Sequence, residues 1–379
     1  MRNIILLGLT SLLTDISSEM VYPLLPMFLA SLGSGPAMLG LIEGIAESTA
    51  SLLRVWSGFW SDRIGKRKPL AIAGYAGSMA GKAFLAFATA WNLVLAGRIV
   101  DRIGKGIRSA PRDALIADSA ETGKRGRAFG LHRAMDTAGA AAGVVLAVVL
   151  LGLPGTNIRG VILWSLVPAS CGVLLLFLVR DIGHRSALRP APQALRFRLL
   201  SPPLRRFLLV SFLFTIGNSS NTFLLLRASS AQIPTQRVLL LYLAYNLAYA
   251  FFSYPAGKLS DTLGRKSILV AGYGTYALVY LAFALLPATP NGWTFLGLFC
   301  IYGLYSGLTD GVEKAFVADL ADASQRGTAI GLHATVVGVG LLPASLIAGG
   351  LWDFLGPSAP FAFGSGTAAI SALLLAFLF

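Results

Sequence analysis

The sequence predicts an all-α polytopic membrane protein built as two six-helix bundles related by a pseudo-two-fold axis. Three observations lead there. Apolar runs of about 20 residues recur down the whole chain, each long enough to cross a bilayer as a helix. A polar turn between two such runs, Ser57-Gly58-Phe59-Trp60-Ser61-Asp62-Arg63-Ile64-Gly65-Lys66-Arg67, returns 199 residues later as Ala256-Gly257-Lys258-Leu259-Ser260-Asp261-Thr262-Leu263-Gly264-Arg265-Lys266. Only 13% of the 379 residues are charged and the mean hydropathy is +0.70, whereas a soluble domain carries about 25% charged residues.

Twelve helices follow in order. Helix 1 covers about 4–32, helix 2 about 37–60 and helix 3 about 69–89. Helix 4 spans about 91–117, helix 5 about 127–152 and helix 6 about 159–180. Helices 7 to 12 cover about 204–228, 237–258, 267–287, 293–318, 326–350 and 358–379. Residues 1–180 are therefore read as an N-terminal bundle, 181–203 as a basic, Pro-containing cytoplasmic linker, and 204–379 as a C-terminal bundle. The first apolar run contains Asp15 and Glu19, which a signal-peptide core does not tolerate, so it reads as a span and not as a cleaved leader.

The repeat extends beyond the turn. Ala117-Asp118, Arg125-Gly126 and Gly130-Leu131-His132 recur as Ala318-Asp319, Arg326-Gly327 and Gly331-Leu332-His333, and Ser17-Ser18-Glu19 falls on Ser219-Ser220-Asn221. Both halves look descended from one six-helix unit. Pairs such as Gly40/Gly44, Gly77/Gly81, Gly139/Gly143 and Gly303/Gly307 let helix backbones approach closely.

The net charge of +14 does not point to nucleic acid. Arg63, Lys66, Arg67, Lys124, Arg125, Arg265, Lys266 and Arg326 fall at alternate helix ends, while the opposite loops offer only Arg159, Arg227 and Arg237. That asymmetry places both termini in the cytoplasm, with anionic lipid of the cytoplasmic face as the partner of the surplus charge. The two cysteines, Cys171 and Cys300, read as small core residues and not as a disulfide or metal site.

The duplicated turn resembles the loop signature of the major facilitator superfamily, Gly-x-x-x-Asp-x-x-Gly followed by two basic residues. Gly58, Asp62, Gly65, Lys66 and Arg67 match it in the first copy, where Arg63 is the basic residue usual after the aspartate. Gly257, Asp261, Gly264, Arg265 and Lys266 match in the second, where Thr262 replaces a basic residue. The resemblance implies a transporter of the inner, cytoplasmic membrane working by alternating access, with these residues as the conformational switch. It implies no cofactor, with a proton gradient as the driving force. Arg98, Asp101 and Gly104 outline the second family motif, although Arg102 stands in the place of its glycine. Gly139 and Gly143 match the first glycines of an exporter motif whose proline is here Val144. Export is the expected direction, with import of an anionic molecule as the alternative.

A charge at the bilayer centre costs about 2.5–3.5 kcal/mol on insertion scales and needs a partner or a wet cavity. Helix 1 carries Asp15 and Glu19, and helix 2 carries Glu43 and Glu47, each pair four apart and so on one face. Helix 3 carries Lys82, helix 4 a stripe from Arg98 to Arg112, and helix 5 His132, Arg133 and Asp136. Proton coupling is assigned to Asp15, Glu19, Glu47, Asp101 and Asp136, with Glu19 leading. Substrate contacts are assigned to Arg98, Arg102, Lys105 and Arg133 in the first half. In the milder second half they are Asn218, Asn221, Tyr245, Asn246, Tyr249, Asp310 and Glu313. The plainer alternative is a static ion pair around Asp101 and Arg102, and a shared structural role for His132 and His333.

An enzyme is not expected, since the sequence shows no His-Glu-x-x-His, no paired cysteines and no Gly-x-Ser-x-Gly. A transporter-like receptor would need a signalling module, and the linker is short for one. The expected partners are a small-molecule substrate and the lipid bilayer, with no nucleic acid and no metal, and the chain is expected to act as a monomer.

Overall fold

The structure is a computed structural model that describes residues 2–64, 67–120, 125–181, 200–287, 291–321 and 326–379. At 55, 58, 59, 62–64, 125–127 and 326–328 it describes the backbone alone. The helices are α1 (Arg2–Ser31), α2 (Pro36–Ile64), α3 (Lys68–Ala86), α4 (Trp91–Ser119), α5 (Arg125–Gly152) and α6 (Ile158–Phe177). They continue as α7 (Pro202–Ser230), α8 (Thr235–Leu263), α9 (Arg265–Ala284), α10 (Gly292–Leu320), α11 (Arg326–Leu355) and α12 (Ala359–Leu378). Among the described residues nine of these are apolar and long enough to cross a membrane. The other three, α2, α3 and α4, carry Glu43, Glu47, Lys82 and the charged stripe of α4 within their spans, which lowers their hydropathy without shortening them.

Two compact units emerge: Met1–Ser34 with Ile45–Arg189, and Gly35–Gly44 with Pro190–Phe379. In the first, α3 packs on α4, and α1 packs on α5 and α6. In the second, α9 packs on α10, and α7 packs on α11 and α12. Each of these pairings recurs in the other unit six helices further on. A duplicated sequence has produced the same internal contacts twice.

Small residues set those contacts. A Cβ at Gly81 or Gly104 would collide with backbone of the facing α4 or α3, and one at Gly303 would collide with backbone of α8 around Tyr245. Gly139 and Gly143 meet Leu12 and Ile16 of α1 in the same way. With no apolar driving force between helices in lipid, such close packing supplies much of the attraction.

Three predicted helices are interrupted. α1 passes through a 3-10 turn at Tyr22–Leu24, where Pro23 and Pro26 remove backbone donors. α6 breaks at Ser165, ahead of Pro168, into Ile158–Trp164 and Leu166–Phe177. α7 stops at Gly217 and resumes at Thr222. The Gly217 carbonyl freed at that last break accepts a hydrogen bond from the Tyr276 hydroxyl at 2.9 Å. Irregular backbone in a spanning segment needs such a partner.

The cysteine expectation is corrected. Cys171 is exposed and Cys300 half-buried. Val167 and Leu174, one turn to either side of Cys171, are 53% and 64% exposed, so this face of α6 is apolar surface for lipid and not core.

Candidate functional site

The first unit concentrates charge between α2, α3 and α4. Arg102 Nη2 lies 2.9 Å from Glu47 Oε1, and Arg98 Nη2 lies 4.0 Å from the same oxygen. Asp101 Oδ2 sits 3.4 Å from Arg98 Nη1 and 4.0 Å from Arg102 Nε. The helical spacing explains this: residues three and four apart share a face. Arg98, Asp101 and Arg102 are all buried, and two arginines against two carboxylates leave the group neutral. The static pairing weighed from the sequence is thus found, with Glu47 of α2 as an added member. Lys105, one turn further along α4, is half-buried.

On α3, Lys82 is 2% exposed and donates to the Ser17 and Ser18 hydroxyls of α1 at 2.7 and 3.0 Å. Asp15 and Glu19 are half-buried, and Gly143 of α5 lets the Glu19 Cβ approach its backbone. Asp136 belongs to a separate group. Its Oδ2 lies 3.4 Å from His132 Nδ1, and His132 Nε2 lies 2.8 Å from Ser11 Oγ. With both ring nitrogens engaged, His132 ties α5 to α1. Arg133 lies on an exposed face of α5.

Of the expected conformational switch, Gly65 and Lys66 lie outside the described residues, as do the side chains of Asp62 and Arg63 and the surroundings of Gly58. Arg67 forms an ion pair with Asp118 at the end of α4. In the second copy Arg265 Nη1 lies 2.7 Å from Asp261, and its Nε lies 3.2 Å from Asp319 at the end of α10. Asp261 therefore pairs with the arginine one turn on. Gly264 has φ 89°, a left-handed conformation that glycine adopts without strain, and this turns the chain from α8 into α9. Gly257 has open space around its α-carbon, and Lys266 is half-buried at the start of α9.

The second unit holds a cavity of about 310 Å³. Asn218 and Asn221 reach it from the break in α7, Tyr245 and Tyr249 from α8, and Asp310 and Glu313 from α10. Asn218 Nδ2 donates to Tyr305 OH at 3.1 Å, and Asn221 Nδ2 donates to Tyr245 OH at 3.3 Å. Tyr249 OH donates to Asp310 Oδ2 at 2.7 Å, and Lys314 Nζ meets Asp310 Oδ1 at 2.7 Å. Tyr273 OH donates to Glu313 Oε1 at 3.0 Å, and His333 Nε2 lies 3.7 Å from Glu313 Oε2.

Asn246 is not among the described residues lining this cavity; its Nδ2 donates to the Tyr242 carbonyl one turn back at 3.0 Å. Tyr273, Tyr302 and Tyr305 line the cavity and are functional candidates absent from the sequence reading. Their signal was available: Tyr273, Tyr276 and Tyr280 on α9, and Tyr302 and Tyr305 on α10, recur at helical spacing. Glu43, named from the sequence but given no role there, is 0% exposed and accepts from Ser220 Oγ at 3.2 Å.

Two repeated helical units with charges buried inside lipid-length spans define an integral, multi-pass membrane transporter. The chain belongs to the Major Facilitator Superfamily, whose family model matches residues 7–243 and 222–379. It is 39% identical over 389 residues to an uncharacterized MFS-type transporter of Methanocaldococcus jannaschii, covering 100% of this chain and 95% of that protein. It is 27% identical to the multidrug resistance protein MdtH of Cronobacter sakazakii, covering 88% of this chain and 82% of that one. The crystal structure of the nucleoside transporter NupG superposes with a TM-score of 0.83 at 13% identity, covering 99% and 98% of the two chains. That likeness is one of fold.

Proposed function

We propose that this chain is a secondary active transporter that exports a small organic solute across the cytoplasmic membrane by alternating access, driven by the proton gradient. The observation that carries the reading is the division of labour between the units. The first buries ionisable groups in a self-compensating network, Glu47 with Arg98 and Arg102 and Lys82 with Ser17 and Ser18. The second holds a cavity of about 310 Å³ walled by tyrosine, asparagine and two carboxylates, the size range of a small-molecule site.

Each role follows from this. Asp15 and Glu19 sit on the helix that Lys82 contacts, so protonation of one acid there alters the field around the Lys82 ammonium. Arg98 and Arg102 are opposed by Glu47 and Asp101, so these two guanidinium groups are held within the network. The Arg67–Asp118 and Arg265–Asp319 pairs latch helix ends that must part when the transporter changes state. A similarity to a multidrug resistance protein supports export. The protein acts in the inner membrane as a monomer with both termini in the cytoplasm.

The test is counterflow in proteoliposomes against a panel of organic cations, neutral aromatics and organic anions. Saturable exchange of at least one solute that responds to an imposed pH gradient is expected. Exchange of none would end the proposal.

A further inference from the structure

We infer that the cavity of the second unit is a binding site for an aromatic or amphiphilic organic cation. This rests on the transporter reading above and gives it a substrate class.

The argument comes from where the hydrogen-bond donors point. Five tyrosines line the cavity. Three of them have given their only O–H to the protein: Tyr249 to Asp310, Tyr273 to Glu313, and Tyr302 to Asn221 Oδ1 at 2.7 Å. The wall hydroxyls do the same. Thr215 donates to the Ser211 carbonyl, Ser306 to the Tyr302 carbonyl and Thr309 to the Tyr305 carbonyl, all one turn back. Asn218 and Asn221 spend an N–H each on Tyr305 and Tyr245.

What the wall offers a ligand is mainly acceptor oxygen and aromatic face, beside the Tyr305 hydroxyl and the second N–H of Asn218 and Asn221. The rings form one continuous surface: Tyr302 has Tyr245 at 5.2 Å and Tyr305 at 5.3 Å, and Phe214 stacks on Tyr273 at 3.9 Å. Aromatic faces are electron-rich and attract cations, most strongly where water is excluded. No lysine or arginine is among the described residues lining the cavity.

The two carboxylates are not equivalent. Asp310 has a tyrosine on one oxygen and Lys314 on the other, so its charge is answered. Glu313 has Tyr273 on Oε1, and the nearest basic group to Oε2 is the His333 ring at 3.7 Å, beyond hydrogen-bond reach. Glu313 is thus the acceptor that a bound ammonium or protonated amine would meet, with ring faces around its apolar part. An anion would meet the Glu313 carboxylate, with no lysine or arginine among the described lining residues to offset it.

The test uses purified full-length protein in nanodiscs and an isosteric pair of probes, benzyltrimethylammonium and benzylsulfonate, measured by calorimetry. The cation should bind at least about tenfold more tightly than the anion, a difference of about 1.4 kcal/mol. Glu313→Gln should remove most of that preference, and Tyr302→Leu should weaken the cation. Tyr302→Phe, which keeps the ring, should retain binding and shows that the site tolerates substitution there. Equal or tighter binding of the anion, no binding of the cation, or a cation affinity untouched by both Glu313→Gln and Tyr302→Leu would overturn the inference. Binding requires no turnover, so failure here is separate from failure of the counterflow assay, which alone bears on transport.

Discussion

Asp101→Asn isolates the energetics of the buried charge network. Asp101 lies 3.4 Å from Arg98 Nη1 and 4.0 Å from Arg102 Nε, and the side chains of Arg98 and Asp101 are only 3% and 9% exposed. Removing its charge leaves two guanidinium groups facing Glu47 with one carboxylate fewer. Breaking a buried pair by removing one partner costs about 3–5 kcal/mol, because the surviving charge stays desolvated. Glu47 is 28% exposed and faces both arginines, so water and the second carboxylate hold the loss near the lower bound, about 3 kcal/mol. For a domain of this size that is a drop of roughly 6–12 °C in apparent melting temperature. Thermal unfolding of purified protein, followed by far-UV circular dichroism, reads it out. Arg98→Met added to Asp101→Asn deletes the stranded cation and should recover at least half of the loss, a non-additivity expected only of coupled groups. If Asp101→Asn melts with the parent, or the double variant falls further by the full cost of a second independent change, the network does not hold charge as argued.

Three further outcomes follow from packing and polar contacts. Gly81→Val should fail to accumulate as monodisperse protein, because its side chain would enter α4 backbone at Asp101, whereas Gly274→Ala, with nothing near it, should behave as the parent; size-exclusion profiles decide. Tyr276→Phe should lose about 1–3 kcal/mol by stranding the Gly217 carbonyl at the break in α7, and an unchanged melting curve would show that something else satisfies it. Asp118→Asn removes the partner of Arg67 and should raise labelling of a cytoplasmic-side cysteine in the α3–α4 region, while unchanged labelling would deny the latch.

Much of the fold was legible because bilayer-length apolar runs are a coarse signal that side-chain detail cannot mask. The duplication was legible for a similar reason: Asp62 and Asp261, or His132 and His333, repeat in sequence before any packing is considered. The cavity was only half legible. Asn218, Asn221, Tyr245, Tyr249, Asp310 and Glu313 stood out as polar groups in apolar spans, and all line it. Asn246 stood out equally, yet its amide satisfies a carbonyl of its own helix, an alternative that composition does not reveal. The tyrosines of α9 and α10 were passed over for the converse reason. Periodicity shows that they share a face but not whether that face meets lipid, core or cavity. The break in α7 was hidden as well, since Gly217 and Asn218 sit within an apolar run and only Tyr276, from another helix, makes an unwound segment tolerable there.

The most direct test of proton-coupled export follows the proton itself. In proteoliposomes loaded with a pH-sensitive dye, an outward gradient of a solute identified by counterflow should drive a pH change across the membrane. That change should vanish with a protonophore, and Glu19→Gln should abolish it while leaving solute binding intact. Solute movement with no accompanying pH change, or coupling undiminished in Glu19→Gln, would contradict the account.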